Sequence, residues 1–179
     1  MSYLWHEKLK IENEEEGKWM YNGHIFNCSH SIGFYNIFLL DVSGSMSENF
    51  DVPSIRKIKD KQSNMLGVAI EAIENYCKIR NYKSPKDKCA LISFNHEAEI
   101  VMRDASVEHY EQIVDECLDK LEPYGKTYFL NAFIAAQQII NSINRKEIIP
   151  IIILLTDGED HMPQETLTFI DNVSKLILI

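Results

Sequence analysis

Two unbroken apolar runs stand out in the pattern of hydrophobic and polar positions. They span residues 36–40, where one asparagine precedes four apolar residues, and 151–155, and each leads into a turn with an aspartate, Asp41 or Asp157. A run without polar alternation is typical of a strand that is buried on both faces, as in a parallel sheet covered by helices. The pattern therefore predicts two buried strands that each present an aspartate where they end.

The segments between these runs show helical spacing. A first helix is predicted after Pro53, with Ser54 as its N-cap and an apolar stripe that starts at Ile58 and continues to Cys77. Three more helices are predicted, and they cover residues 107–121, 130–143 and 164–172.

Three further strands complete the predicted sheet. Residues 89–94 form another apolar run, and a tight turn joins them to residues 98–102, which predicts an antiparallel hairpin at the edge. Residues 176–179 predict the start of a last strand. The whole pattern indicates an α/β fold that is Rossmann-like and doubly wound, with a mostly parallel sheet, one antiparallel edge strand and helices on both faces.

The first 34 residues have a different character and are predicted to be an N-terminal extension, with one domain over residues 35–179. The charged run at residues 12–16 is expected to be a solvated surface. Asn22-Gly23 lies between aromatic or apolar residues, which is a signal for a small hairpin.

The chemistry of the two strand ends indicates a metal site. Ligands of open parallel sheets bind beyond the carboxyl ends of the strands, where Asp41, Ser43, Ser45 and Asp157 are expected to lie. Carboxylate and hydroxyl oxygens suit Mg²⁺, or Mn²⁺ as a substitute, better than zinc or copper. If the neutral serines contact the ion and the aspartates act partly through water, the ion keeps much of its charge and attracts an anionic ligand.

These residues resemble the metal-ion-dependent adhesion site of von Willebrand factor type A domains. The matching motifs are D-x-S-x-S at 41–45, the threonine of Gly125-Lys126-Thr127, and Thr156-Asp157-Gly158. The resemblance covers about residues 35–179 and implies that Ser43, Ser45 and Thr127 contact the ion directly. It further implies that Asp41 and Asp157 hold the ion mainly through water, and that a partner protein completes the coordination with an Asp or Glu side chain. The implied function is non-enzymatic, metal-dependent protein binding.

The same resemblance sets an expectation for the end of the chain. Related domains usually continue through another strand and one or two helices beyond residue 179. We therefore expect a domain that is truncated at its C-terminus, with an uncovered sheet edge and poor solubility.

Two other functions remain open at this point. In a magnesium-dependent phosphatase or phosphotransferase, Asp41 would be the nucleophile, although such enzymes usually need a second aspartate where this chain has Ser43. In a scaffold of the same fold, helix faces would bind the partner without any metal.

Charge and cysteine content limit the kinds of partner and the cellular location that are expected. The net charge of −9 argues against binding to nucleic acids and to anionic membranes. The chain has no apolar stretch long enough to span a bilayer and no signal-peptide pattern, so a cytoplasmic location is expected. Cys77, Cys89 and Cys117 fall on predicted core faces, which is typical of buried free thiols. The partner's identity and the oligomeric state do not follow from the sequence.

The remaining histidines and acidic residues carry no assigned role. His24, Cys28 and His30 are close in sequence but lack a fourth zinc ligand at suitable spacing, so polar positions on a hairpin are the expected interpretation. His96 and His161 lie in predicted loops near strand ends, but no nucleophile or base partner is placed to match them, so no role is assigned. Glu159 and Asp160 continue the second acidic turn and could tune the metal site or contact a partner, although a solvated turn is the expected interpretation.

Overall fold

A computed structural model describes residues 18–21, 24–27, 33–48, 64–84, 86–143, 148–158 and 162–177. The chain divides into two compact units, residues 1–32 and residues 33–179. In the first unit, strand β1 (Lys18–Tyr21) pairs antiparallel with strand β2 (His24–Asn27). The two residues between these strands are Asn22 and Gly23, so the pairing lies where the sequence predicts a hairpin.

The second unit contains a four-stranded mixed sheet. Its strands are β3 (Gly33–Asp41), β4 (Lys88–Phe94), β5 (Ala98–Ser106) and β6 (Ile148–Leu155), in the order β5-β4-β3-β6. Strand β3 is parallel to both of its neighbours, whereas β5 is antiparallel to β4. The predicted fold class, a mostly parallel sheet with one antiparallel edge strand, is therefore confirmed.

Helices pack on both faces of this sheet because β3 is apolar on both sides. Phe38 and Leu40 face a core formed with helices α1 (Met65–Lys83) and α2 (Tyr110–Lys120). Tyr35, Ile37 and Leu39 face a second core formed with helices α3 (Phe129–Ser142) and α4 (Gln164–Ile177). The alternate side chains of one strand thus enter two separate cores, as expected for a strand inside a layered α/β domain.

The boundaries of α2 and α3 follow the predicted segments closely, whereas α1 begins at Met65 and α4 continues to Ile177 rather than ending at Asn172. Asn64 caps α1 by accepting a hydrogen bond from the Gly67 N–H at 2.9 Å, while the predicted cap Ser54 and Ile58 lie outside the described residues. The helix predicted over residues 107–121 begins with a 3₁₀ turn, Val107–His109, before α2. The predicted core cysteines are all buried, with free thiols: Cys77, Cys89 and Cys117.

Two sequence predictions differ from the structure. The strand expected at residues 176–179 is wrong, because α4 continues to Ile177; Leu178 and Ile179 lie outside the described residues. A run of four apolar residues is too short for periodicity to separate a strand from a helix turn. Strand β5 extends to Ser106 rather than ending near Met102, since its antiparallel pairing with β4 resumes after an irregularity. No helix among the described residues is both long and apolar enough to cross a membrane.

Candidate metal centre

The first part of the candidate site is the turn that follows β3. Asp41 ends the strand with a fully buried side chain, and its Oδ1 accepts a hydrogen bond from the Ser43 N–H at 2.8 Å. The Val42 N–H donates to the Phe94 carbonyl at 2.8 Å, so the turn stays attached to β4 as it leaves the sheet. The aspartate therefore fixes the backbone that presents the serines.

The two serine hydroxyls lie side by side. Ser43 Oγ and Ser45 Oγ are 3.2 Å apart, with Ser43 buried and Ser45 half-buried. Ser47, two residues later in the same 3₁₀ turn, is exposed, and its hydroxyl donates instead to the Gly44 carbonyl at 2.7 Å. The hydroxyls of Ser43 and Ser45 thus lie together, whereas the hydroxyl of Ser47 bonds to the backbone of its own turn.

The second part of the site follows β6. The Thr156 hydroxyl donates to Asp41 Oδ2 at 2.8 Å, and it accepts from the Gly158 N–H at 3.3 Å. Asp157 lies between these two residues and is half-buried. Thr156 has no role among the sequence-based predictions, although its position just before the strand-end aspartate indicates that it lies at the same edge of the sheet.

The third part is the loop that contains Thr127. Its backbone is tied to the first turn by two hydrogen bonds, from Tyr124 N–H to the Val42 carbonyl and from Gly44 N–H to the Gly125 carbonyl, both 2.9 Å long. Thr127 follows two residues later and is half-buried. The structure therefore brings the loop that contains Thr127 to the same edge of the sheet as Asp41.

Asn95 supports the same loop from the other side. Its side-chain Nδ2 donates to the Tyr124 carbonyl at 3.2 Å, and its own carbonyl accepts from the Tyr128 N–H at 2.8 Å. Asn95 is buried and directly follows β4, so it anchors the loop to the sheet. This residue was missed by the sequence analysis, because an asparagine after a strand is also an ordinary turn residue.

Gly125 is required by the shape of the loop. Its φ is +79°, and a Cβ at this position would lie 2.8 Å from His96 Nδ1. The His96 ring is exposed and contacts Tyr124 edge-on, with ring centroids 5.8 Å apart. His96 thus packs over the glycine, and this contact gives it a structural role. Lys126, the next residue, is exposed.

The Asp41 carboxyl lies where its ionised form is disfavoured. Burial raises the pKa of Asp41, and the nearby negative charge of Asp157 raises it further, against the lowering effect of hydrogen bonds from Ser43 and Thr156. The Asp41 carboxyl is therefore harder to ionise than an exposed one. Among the described residues, no group of three or more His, Cys, Asp or Glu side chains could hold a metal ion. An ion at this edge would need the hydroxyl oxygens as ligands.

Other candidate residues lie outside the part of the chain that the structure describes. These include Cys28 and His30 of the considered zinc cluster, and Glu159, Asp160 and His161 after β6.

The arrangement of fold and strand-end residues agrees with a known family. A family model described as von Willebrand factor type A domain matches residues 36–159, which is more than half of the chain. The chain belongs to the von Willebrand factor type A family. Comparison with curated protein sequences finds no match.

Solved structures with the same fold come from proteins of varied origin. The VWA domain of SpRpn10 is 14% identical with a TM-score of 0.59, over 82% of this chain and 71% of that one. The conserved hypothetical protein BatB from Bacteroides thetaiotaomicron is 22% identical with a TM-score of 0.58, over 79% and 62%. The vWF domain of the type V pili tip protein Mfa5 from Porphyromonas gingivalis is 19% identical with a TM-score of 0.52, over 71% and 38%. This chain therefore spans less than two thirds of the length of the last two.

Proposed function

We propose that this von Willebrand factor type A domain binds a partner protein through a Mg²⁺ ion held at the carboxyl edge of its sheet. In this proposal Ser43, Ser45 and Thr127 contact the ion directly, and Asp41 and Asp157 hold it mainly through water. A partner supplies an Asp or Glu carboxylate as a further ligand. Domains of this family are generally interaction modules rather than enzymes.

The observation that carries the proposal is the spacing of the serine hydroxyls. Two ligands at right angles on an Mg²⁺ ion, each at 2.0–2.1 Å, are about 3 Å apart. Ser43 Oγ and Ser45 Oγ are 3.2 Å apart. The pair is thus already close to the separation that two adjacent ligand positions require, and its oxygens are of the hard type that Mg²⁺ prefers.

The hydrogen bonds of Asp41 support its indirect role. Both of its carboxylate oxygens accept bonds from the protein, one from Ser43 N–H and one from the Thr156 hydroxyl. A carboxylate engaged in this way keeps less capacity for direct coordination but can still accept bonds from metal-bound water. Its charge would also be stabilised by a nearby cation, which would offset the cost of its burial.

The same contacts weigh against the phosphotransferase hypothesis. A nucleophilic aspartate must present an oxygen to the phosphorus atom, but the Asp41 side chain is fully buried with both oxygens engaged. Position 43, where a general acid would be expected, is a serine whose hydroxyl lies beside Ser45. A scaffold that binds its partner without a metal remains the alternative, and an experiment must distinguish it from metal-dependent binding.

Electron paramagnetic resonance of Mn²⁺ tests the proposed ligands directly, because the sharp signal of the free ion decreases on binding. We expect one Mn²⁺ bound per chain, displaced by excess Mg²⁺. Ser45→Ala should weaken binding by at least about tenfold, whereas Ser47→Ala, in the same turn but with its hydroxyl on the Gly44 carbonyl, should leave it unchanged. Equal binding by both variants would rule out the serine pair as ligands, and no binding by the wild type would favour the scaffold.

The role of the partner carboxylate needs a second measurement. A short peptide with a single aspartate should bind the Mn²⁺-loaded chain more tightly than the same peptide with asparagine, and the preference should disappear in EDTA. A preference that persists in EDTA would show that the metal is not part of the recognition.

A further inference from the structure

An open groove lies between the edge strand β5 and helix α3. Apolar side chains from both elements form its walls, with Ala98 and Ile100 from β5 and Ile134 and Ala135 from α3. Polar residues complete the lining: Glu97, Glu99, Asn131 and Gln138. The groove has a volume of about 560 Å³, which is within the range of protein ligand sites.

The helix side of the groove carries an accessible apolar residue. Most apolar residues of α3 are buried against the sheet, but Ile134 is 39% exposed. It is on the same stripe as Asn131 and Gln138, since residues three and four positions apart share a helix face. An exposed isoleucine between two amides, opposite an apolar strand, is suited to contact with an aliphatic side chain.

The strand side of the groove offers backbone hydrogen bonds. Among the described strands, β5 pairs only with β4, so its outer N–H and C=O groups have no strand opposite them. The pairing with β4 is regular from Ala98 to Ile100 and irregular farther along. These three residues also line the groove, so the regular part of the edge and the apolar surface coincide. A sheet edge of this kind is a template for an added strand.

Charge and alternation define the sequence that would fit. Ala98 and Ile100 face the α3 side, so the side chain of Glu99, at the rim of the groove, points away from α3. Glu97 and Glu99 are exposed, and the described lining residues include no lysine or arginine. On the Glu99 face, Lys120 pairs with Glu116 and also interacts with Glu99, but Glu97, Glu99 and Glu122 outnumber it there. An added strand would therefore place aliphatic residues in the groove and basic residues beside the glutamates.

We infer that β5 and α3 bind an extended segment of a partner protein in which aliphatic residues alternate with lysine or arginine. The segment joins the sheet as a strand next to β5, and one aliphatic side chain packs against Ile134. This surface goes beyond the proposed metal-dependent function, because none of its contacts needs an ion.

Fluorescence anisotropy with the full chain tests this inference in EDTA, so that the outcome is independent of the metal proposal. The probe is a labelled eight-residue peptide that alternates valine and lysine. We expect saturable binding that Ile134→Asp weakens by at least about tenfold. Ile79→Asp is the matched control, because Ile79 is 56% exposed on α1 and away from the groove. Equal weakening by both variants, or no saturable binding to the wild type, would overturn the inference.

Two further comparisons separate strand addition from simple charge attraction. A peptide of the same sequence that is N-methylated at every residue cannot donate backbone hydrogen bonds to β5, and it should bind at least about tenfold more weakly. Glu99→Lys, an exposed substitution that should not disturb folding, should shift the preference from the lysine peptide to one that alternates valine and glutamate. If the methylated peptide binds as well as the original, or Glu99→Lys has no effect on preference, the proposed strand geometry is wrong.

Discussion

The Thr156 hydroxyl joins the end of β6 to the end of β3, and its removal tests how the candidate site is held together. Thr156→Val keeps the shape of the side chain but deletes the donor to Asp41 Oδ2, 2.8 Å away. The Gly158 N–H also loses its acceptor. We expect the two strand ends to become less firmly connected and the buried carboxylate to lose one of its hydrogen-bond donors.

The size of the effect follows from the burial of Asp41, which has no exposed surface. A hydrogen bond to a charged group contributes about 1.5–3 kcal/mol, and water cannot replace a donor at a fully buried carboxylate. Because valine is isosteric with threonine, no cavity term adds to this value. For a chain of this size, each 1 kcal/mol lowers Tm by roughly 2–4 °C, so Tm should fall by about 3–12 °C.

Urea unfolding followed by far-ultraviolet circular dichroism measures this loss, with Thr168→Val as the control. The Thr168 hydroxyl donates to the Gln164 carbonyl at 2.9 Å on the exposed surface of α4, so its loss should cost less than about 0.5 kcal/mol. The reasoning would be refuted if the two variants lost equal stability in metal-free buffer at neutral pH.

The stability of the wild type and of Thr156→Val should also depend differently on pH, which gives a second test of the same hydrogen bond. Burial is the main cause that raises the pKa of Asp41 in the folded chain, so the ionised form is disfavoured there. Ionisation of Asp41 therefore lowers the stability of the fold as the pH rises through the folded pKa. The Thr156 hydroxyl favours the ionised form. The stability difference between wild type and Thr156→Val should therefore decrease as the pH is lowered and Asp41 becomes protonated.

Two further predictions concern the opposite end of the sheet and the Gly125 loop. Burial alone would raise the pKa of Asp87, but bonds from Arg80, the Phe34 N–H and Ser84 hold it below its ordinary value. The stabilisation that ionised Asp87 gives the fold is thus present above about pH 4 and is lost as the pH falls through the folded pKa. Asp87→Asn should therefore lower the free energy of unfolding by about 2–4 kcal/mol at pH 7 and by less in acid, which urea unfolding at several pH values can measure. A loss of stability that stays constant with pH would contradict this prediction. Gly125→Ala should destabilise the chain by about 1–2 kcal/mol through its positive φ and should also weaken Mn²⁺ binding. Gly158→Ala, with φ +77° and open space around it, should lower stability by backbone strain and leave Mn²⁺ binding unchanged. Equal Mn²⁺ affinities of the two variants would disprove a role for the Gly125 loop.

The sheet was predictable because its central strands carry a simple signal. Residues 36–41 and 89–94 are apolar enough to be buried on both faces, and the structure pairs them as parallel neighbours over this whole length. Boundaries were less predictable where the signal is local. The last apolar residues of α4 were assigned to a strand, because four residues do not distinguish the two periods.

The turn that contains Asp41, Ser43 and Ser45 was predictable from their spacing, but its connections to the rest of the fold were not. The spacing of Asp41, Ser43 and Ser45 indicated one turn, and the structure shows the hydrogen bonds within it. The bonds from Thr156 and Asn95 join residues that are far apart in the sequence, 115 positions in the case of Asp41 and Thr156. The parallel register of β3 and β6 brings Asp41 and Thr156 together, and periodicity does not determine that register.

The central claim is that the five predicted residues hold a Mg²⁺ ion, and calorimetric titration of the full chain with MgCl₂ tests it most directly. The account predicts saturable binding by the wild type, no measurable binding by Asp157→Ala, and unchanged binding by Asp115→Ala, an exposed acidic residue on α2. Absence of binding by the wild type, or equal binding by the wild type and Asp157→Ala, would contradict the account.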